Sequence, residues 1–245
     1  MTEPVPHPEA RLQGLCVDGP AGPLISGLDL TVESGERLGI VGPSGSGKTL
    51  TAGALLGLPL PGLRVSGDRY LSPRTGALLQ ESASALNPLM RVGRQYDLAL
   101  RGAGVPRAER RERIDRQLKE LALDADTRRA WPLHLSGGQR QRAALGLALV
   151  TEPELVVADE PTAALDALTQ NEILLMLRRI LDARATALIL ISHDLALVAR
   201  LCERVVVLGG GRIVEEGPTA DILAEPQHPT SARLVDAART LGVTA

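Results

Sequence analysis

The sequence predicts an α/β fold with an N-terminal antiparallel layer and an inserted helical subdomain, on three observations. Wholly apolar runs, Leu155-Val156-Val157-Ala158 and Ala187-Leu188-Ile189-Leu190-Ile191, read as strands buried on both faces. From about Arg91 to Val150 apolar residues recur at three- and four-residue spacing, through Ile114, Leu118 and Leu121 and again from Ala143 to Leu149, which is helical patterning. Between a strand at Arg37-Leu38-Gly39-Ile40-Val41 and a helix starting across Leu50 to Leu56 lies a glycine-rich loop, Gly42-Pro43-Ser44-Gly45-Ser46-Gly47-Lys48-Thr49. The expected organisation is a flexible tail at residues 1–10, one domain over 11–225 with the helical subdomain at about 90–150, and a short extension over 226–245.

The loop fits G-x-x-x-x-G-K-[ST], the Walker A phosphate loop, in the strand-to-helix context that pattern requires. Its glycines let successive backbone N–H groups turn inward around a polyphosphate. Lys48 would reach the outer phosphates as a point charge, and the Thr49 hydroxyl would ligate Mg²⁺. The helix after the loop offers its positive end to the same anion.

Composition bounds the remaining choices. Apolar residues make up 44% of the 245, but there is no Phe, one Trp and two Tyr, so the core is built from Leu, Val, Ile and Ala. Surfaces that stack bases need aromatics, and 27 basic against 29 acidic residues leave no field for nucleic acid. The basic cluster Arg107 to Arg116 alternates with Glu and reads as a solvated helix face. Cys16 and Cys202 sit in apolar surroundings far apart in sequence, which predicts buried thiols. No stretch of about 18 apolar residues occurs, so no segment is expected to span a membrane, and a cytoplasmic location is the default.

In chain order, Arg11 to Val17 and Leu28 to Val32 alternate apolar and polar residues and read as two edge strands joined through Gly19 to Pro23. Val65 to Tyr70 adds a strand, and Gly76 to Gln80 a short buried one. Pro132 breaks the helical stretch, and Asn171 to Leu181 is an amphipathic helix. Arg204 to Leu208 and Arg212 to Glu215 are a strand and its return about Gly209-Gly210-Gly211. Helices follow at Thr219 to Ala224 and Thr230 to Leu241.

Two further stretches carry chemistry. Asp159 and Glu160 end the apolar run at the carboxyl end of a strand, where ligands collect in parallel sheets. Asp159 is placed to hold the Mg²⁺ hydration shell, and Glu160 to orient or deprotonate a water. His193, in Ser192-His193-Asp194, reaches the same sheet edge if the strands are adjacent; a helix cap by Ser192 or Asp194 is the competing reading.

Taken together, these motifs resemble the ATPase subunit of an ABC transporter over about Leu12 to Glu225. Leu135-Ser136-Gly137-Gly138-Gln139 matches the family signature, Leu155 to Glu160 Walker B, Ala164-Leu165-Asp166 the D-loop, Gln80 the Q-loop glutamine and His193 the switch histidine. The resemblance implies two such domains packed head to tail with ATP and Mg²⁺ between the phosphate loop of one and the signature of the other. Ser136 and the N–H groups of Gly137 and Gly138 would then meet the γ-phosphate in trans. Gln80 would approach Mg²⁺ or the water, His193 the γ-phosphate, and Asp166 would tie the two sites together. The family usually stacks adenine on an aromatic near its first strands, yet Arg11 to Leu28 has no Phe, Tyr or Trp. Adenine is therefore expected on aliphatic carbon near Val17, with weaker base selectivity.

The run Leu79 to Met90, with Leu86-Asn87-Pro88, is similar to the peptide and nickel importer subfamily, and Gln227-His228-Pro229-Thr230 resembles the start of its C-terminal extension. That extension holds no cysteine here, so it carries no iron–sulfur ligands, and one His228 cannot make a nickel site. The resemblance implies import of a small peptide or a nickel or other metal chelate, powered from the cytoplasmic face of the membrane. Its implied partners are two transmembrane permease subunits, a second ATPase subunit as heterodimer or homodimer, and an extracytoplasmic solute-binding protein, with no direct nucleic acid. The alternative is a soluble ABC-type ATPase acting on ribosomes or nucleic acid. Such proteins usually carry a fused second ATPase domain, a coiled-coil insertion or a basic arm, none of which the sequence displays.

Overall fold

The computed structural model describes residues 8–79, 85–162 and 166–240. They form two compact units, Met1–Pro73 with Ala187–Ala245, and Arg74–Thr186. In the first unit, β1 (Ala10–Gly19), β2 (Gly22–Val32) and β4 (Arg64–Leu71) make an antiparallel sheet in the order β2-β1-β4. β1 is thus central and not an edge strand, because it pairs with β2 on one side and β4 on the other. The glycine- and proline-rich link contracts to a tight turn, with Gly19 opposite Gly22. The segment expected as a flexible tail reaches the sheet at its last two residues: Glu9 N–H donates to Val32 O, and Ala10 opens β1.

The same unit holds β3 (Arg37–Val41) between β7 (Ala187–Ser192) and β8 (Arg204–Gly209), parallel to both, and β9 (Arg212–Pro218) antiparallel to β8. Every residue of β7 is buried, which is why its sequence is apolar without alternation. Arg204, at the start of β8, donates to Glu36, Glu216 and the Thr31 carbonyl. Burial works against its charge, but the Glu36 and Glu216 carboxylates outweigh it and hold the guanidinium's pKa above its ordinary value. Around these strands lie α1 (Lys48–Leu56), α6 (Leu195–Ala199), α7 (Thr219–Ala224) and α8 (Pro229–Thr240). Glu215 of β9 accepts the backbone N–H groups of Gln227 and His228, both at 2.9 Å, at the entry to α8.

The second unit pairs β5 (Thr75–Leu78) with β6 (Leu155–Asp159) in parallel and adds α2 (Val92–Gly102), α3 (Arg107–Glu120), α4 (Gly137–Leu149) and α5 (Ala167–Arg184). The Pro132 break is a 3-10 turn at Pro132–His134. Of α3 only Ile114, Gln117 and Leu118 are buried, in line with its charged sequence. Tyr96 of α2 is wholly buried, and its hydroxyl donates to Ala143 O of α4 at 2.7 Å. Burial pushes the phenol's pKa up. Beside it, the buried Gln95 amide accepts Asn87 N–H and donates to Asn87 O and Met90 O, pinning the Leu86-Asn87-Pro88 segment to α2.

Cys202 is buried and its thiol pKa pushed up by that burial. Cys16 is only half-buried, contrary to expectation, and its sulfur accepts Gly27 N–H at 3.2 Å. Among the described residues no helix is long and apolar enough to cross a membrane.

Candidate nucleotide site

The candidate residues fall in both units. In the first, Val41 at the end of β3 lies in register with Ser192 of β7 and Val207 of β8. The phosphate loop therefore leaves the sheet beside the turn that carries His193. Gly42 has no room for a side chain, since a Cβ would lie 2.5 Å from Leu208 O and 2.6 Å from Ser46 Oγ. Gly45 and Gly47 take φ of +79° and +102°, which L side chains rarely adopt. Pro43 and Ser44 form the exposed rim. Lys48 opens α1, and its ammonium donates to Gly42 O at 2.7 Å and Pro43 O at 3.1 Å, folding over the loop.

The N-terminus of α1 has no side-chain cap, so its first N–H groups remain available to an anion. Ser46 Oγ is buried without a hydrogen-bond partner among the described residues, a cost of about 1–3 kcal/mol if it stays so. Thr49 is exposed on the first turn of α1, where a hydroxyl can meet a cation bound to phosphate. The turned-in backbone, the uncapped helix and the orphaned hydroxyl fit a polyphosphate with its Mg²⁺. At the neighbouring turn, Asp194 caps α6 by accepting from Ala196 and Leu197 N–H, and Ser192 Oγ accepts Asp194 N–H. Capping is thus done by Asp194, and His193 is left exposed at the mouth.

In the second unit Asp159 ends β6 and is almost wholly buried, and Glu160 follows with φ of +49°. A glutamate in the left-handed region costs on the order of 1–3 kcal/mol, and such strain concentrates at functional sites. The next two residues are fixed: Pro161 O accepts from Gln141 Nε2 of α4, and Thr162 Oγ1 accepts from Gln170 Nε2 of α5. After Leu135, Ser136 caps α4 in a capping box, accepting Gln139 N–H at 3.2 Å while its own N–H donates to Gln139 Oε1. Ser136 keeps a proton to donate outward, and Gly137 and Gly138 present the first N–H groups of the helix. Asp166 caps α5 through Thr169 N–H and Oγ1, and these bonds hold its carboxyl below the usual carboxylate range. Gln80, with Ala164 and Leu165, lies outside the described residues.

Two features escaped the sequence reading, and one expectation is overturned. Gln141 and Gln170 look like surface positions of charged helices, and only their bonds to the segment after Glu160 reveal a role. Val17, expected beneath adenine, is wholly buried and cannot touch a ligand. Leu24 lines a cavity of about 190 Å³ with Gly45, Gly47, Lys48, Thr49 and Leu50.

The profile of the family described as ABC transporter matches residues 25–163. The chain is 36% identical over 233 residues to the oligopeptide transport ATP-binding protein OppD of Salmonella typhimurium, covering 87% of this chain and 70% of that one. It is 35% identical over 241 residues to the probable D,D-dipeptide transport ATP-binding protein DdpD of Escherichia coli, covering 89% and 74%. Among solved structures, the ATP-binding cassette MJ0796, captured as a dimer in a post-hydrolysis state with ADP and Pi, superposes with TM-score 0.73 at 26% identity, covering 86% of this chain and 98% of that one. With the phosphate loop, the paired carboxylates and the signature helix in one chain, this protein belongs to the ABC transporter ATP-binding family.

Proposed function

We propose that the chain is the ATP-hydrolysing subunit of an ABC importer whose cargo is a short peptide. The observation that carries the catalytic half is Glu160, held in a strained backbone directly after the buried Asp159. In this reading Gly42 to Thr49 wrap the phosphates, and Lys48 exchanges its two loop carbonyls for phosphate oxygens. Thr49, Asp159 and Gln80 are the residues that would hold Mg²⁺, and the cation when bound would supply positive charge to offset the charge of the phosphates. Glu160 orients and deprotonates the attacking water, and His193 contacts the γ-phosphate. The Ser136 hydroxyl and the N–H groups of Gly137 and Gly138 close over the γ-phosphate of a second ATPase subunit, with Leu135 and Gln139 shaping that turn. Asp166 links the two sites.

The peptide cargo is supported by the names of the relatives, OppD and DdpD. A nickel or metal-chelate cargo rests on sequence resemblance alone, in the Leu86-Asn87-Pro88 segment, the start of the extension at Gln227, and the segments Gly57 to Gly67 and Val198 to Gly217. Two permease subunits and a solute-binding protein complete the proposed system, with this chain on the cytoplasmic face, in one domain over 11–225 whose helical subdomain spans about 90–150. Glu160→Gln tests the catalytic assignment. ATP turnover should fall by about 10² or more with binding retained; an unchanged rate would remove Glu160 from catalysis. Uptake of labelled dipeptide against labelled nickel by the assembled transporter decides the cargo.

A further inference from the structure

We propose that Leu24 is the platform for the nucleotide base and that this site takes nucleoside triphosphates with little regard to which base they carry. The inference rests on the nucleotide-hydrolysing reading above. With the phosphates fixed at the loop, the base must lie beyond the ribose. The cavity that abuts the loop offers only Leu24 and Leu50 besides the loop's own Gly45, Gly47, Lys48 and Thr49. Leu24 is 42% exposed, whereas Ile25 beside it and Val17 across the strand pair are buried and out of reach.

The position of Leu24 is fixed by its backbone. A Cβ on Gly47 would lie 3.3 Å from Ile25 Cγ1 and 3.7 Å from Leu24 O, and one on Gly211 would lie 2.2 Å from Leu24 O. Ser26 N–H also donates to Gly211 O at 3.0 Å. The start of β2 is thus wedged between the phosphate loop and the β8–β9 turn, with the leucine side chain at the cavity.

Adenine and guanine differ along their edges, in which positions donate and which accept hydrogen bonds. An isobutyl group grips the face of either ring and reads neither edge. Of the polar side chains at the cavity, Lys48 and Thr49 would be engaged with phosphate and cation in that reading. Sites that hydrogen-bond a distinguishing group reject the wrong analogue by about 10⁴–10⁵, while apolar pockets reach only about 10². Affinities for ATP and GTP should then fall within about tenfold of each other.

Calorimetric titration of the purified full chain with the Mg²⁺ complexes of ATP, GTP, CTP and inorganic tripolyphosphate tests this, alongside Leu24→Trp and Leu24→Ser. ATP and GTP within about tenfold, both tighter than tripolyphosphate, is the expected result. Leu24→Trp should tighten both purine nucleotides by roughly 3–10-fold through ring stacking, and Leu24→Ser should weaken them. ATP preferred over GTP by more than about 10² would overturn base indifference. Unchanged affinities in both variants, or tripolyphosphate binding as tightly as ATP, would remove Leu24 as a platform. Failure of every ligand, tripolyphosphate included, would instead overturn the nucleotide reading itself.

Discussion

Replacing Gly146 by alanine should destabilise the protein, although alanine is the better helix former. A Cβ at this position of α4 would lie 2.0 Å from the Tyr96 hydroxyl oxygen and 2.4 Å from Leu121 Cδ1, well inside contact distance. Neither neighbour can yield easily. Tyr96 and Leu121 are wholly buried, and the phenol is tied to Ala143 O at 2.7 Å. Overpacking of this kind costs about 1–3 kcal/mol, and disturbing the phenol's hydrogen bond adds about 1 kcal/mol. The gain in helix propensity returns about 1 kcal/mol. The net loss is about 1–3 kcal/mol, read as a fall in Tm of about 2–4 °C per kcal/mol in a chain of this size. Gly102→Ala is the control. No heavy atom lies within 4 Å of its added Cβ, so stability there should hold or rise. Combining Gly146→Ala with Tyr96→Phe removes the closest clash and leaves Leu121, so the double variant should be more stable than the sum of the singles by at least about 0.5 kcal/mol. A Gly146→Ala protein melting at or above the parent temperature would refute the packing argument.

The two thiols should react in turn: alkylation of the native protein labels Cys16 rapidly, and Cys202 joins only on unfolding, because burial both hides its thiol and suppresses its thiolate. Equal native rates would contradict that difference. The Asp166 cap should respond to pH in one direction. Its folded pKa is depressed by the Thr169 bonds, so its contribution is fully present above the ordinary carboxylate value and is lost as pH falls through the lower folded one. Amide-exchange protection at Thr169 and Gln170, taken relative to the intrinsic rate at each pH, should fall over that acidic window and not in Asp166→Asn.

Strands that are buried on both faces were legible because their chemistry is one-dimensional: β6 and β7 are unbroken apolar runs and admit no other reading. The antiparallel layer was harder. β1 shifts register against β2 at three points, with Gly14 at φ of +58°, so alternation along the sequence does not say which side chains face inward. That is why Val17 looked available to a ligand and proved buried, and why a central strand read as an edge. α5 begins at Ala167, four residues before the amphipathic pattern is readable, because the Asp166 cap starts it. The carboxylate pair and the signature turn were legible because each depends on a local rule, a strand end or a capping box. The glutamines Gln141 and Gln170 act through contacts 20 and 8 residues away, which no local pattern encodes.

The strand that presents the phosphate loop is made early and completed late. β3 occupies residues 37–41, yet both its hydrogen-bonded neighbours, β7 and β8, begin only at Ala187 and Arg204. At synthesis rates of about 5–20 residues per second, the loop waits roughly 7–30 s on the ribosome for the strands that aim it. The contiguous unit Arg74–Thr186 is finished in that interval. Nucleotide binding can therefore contribute nothing to stabilising the nascent chain until β7 and β8 have emerged.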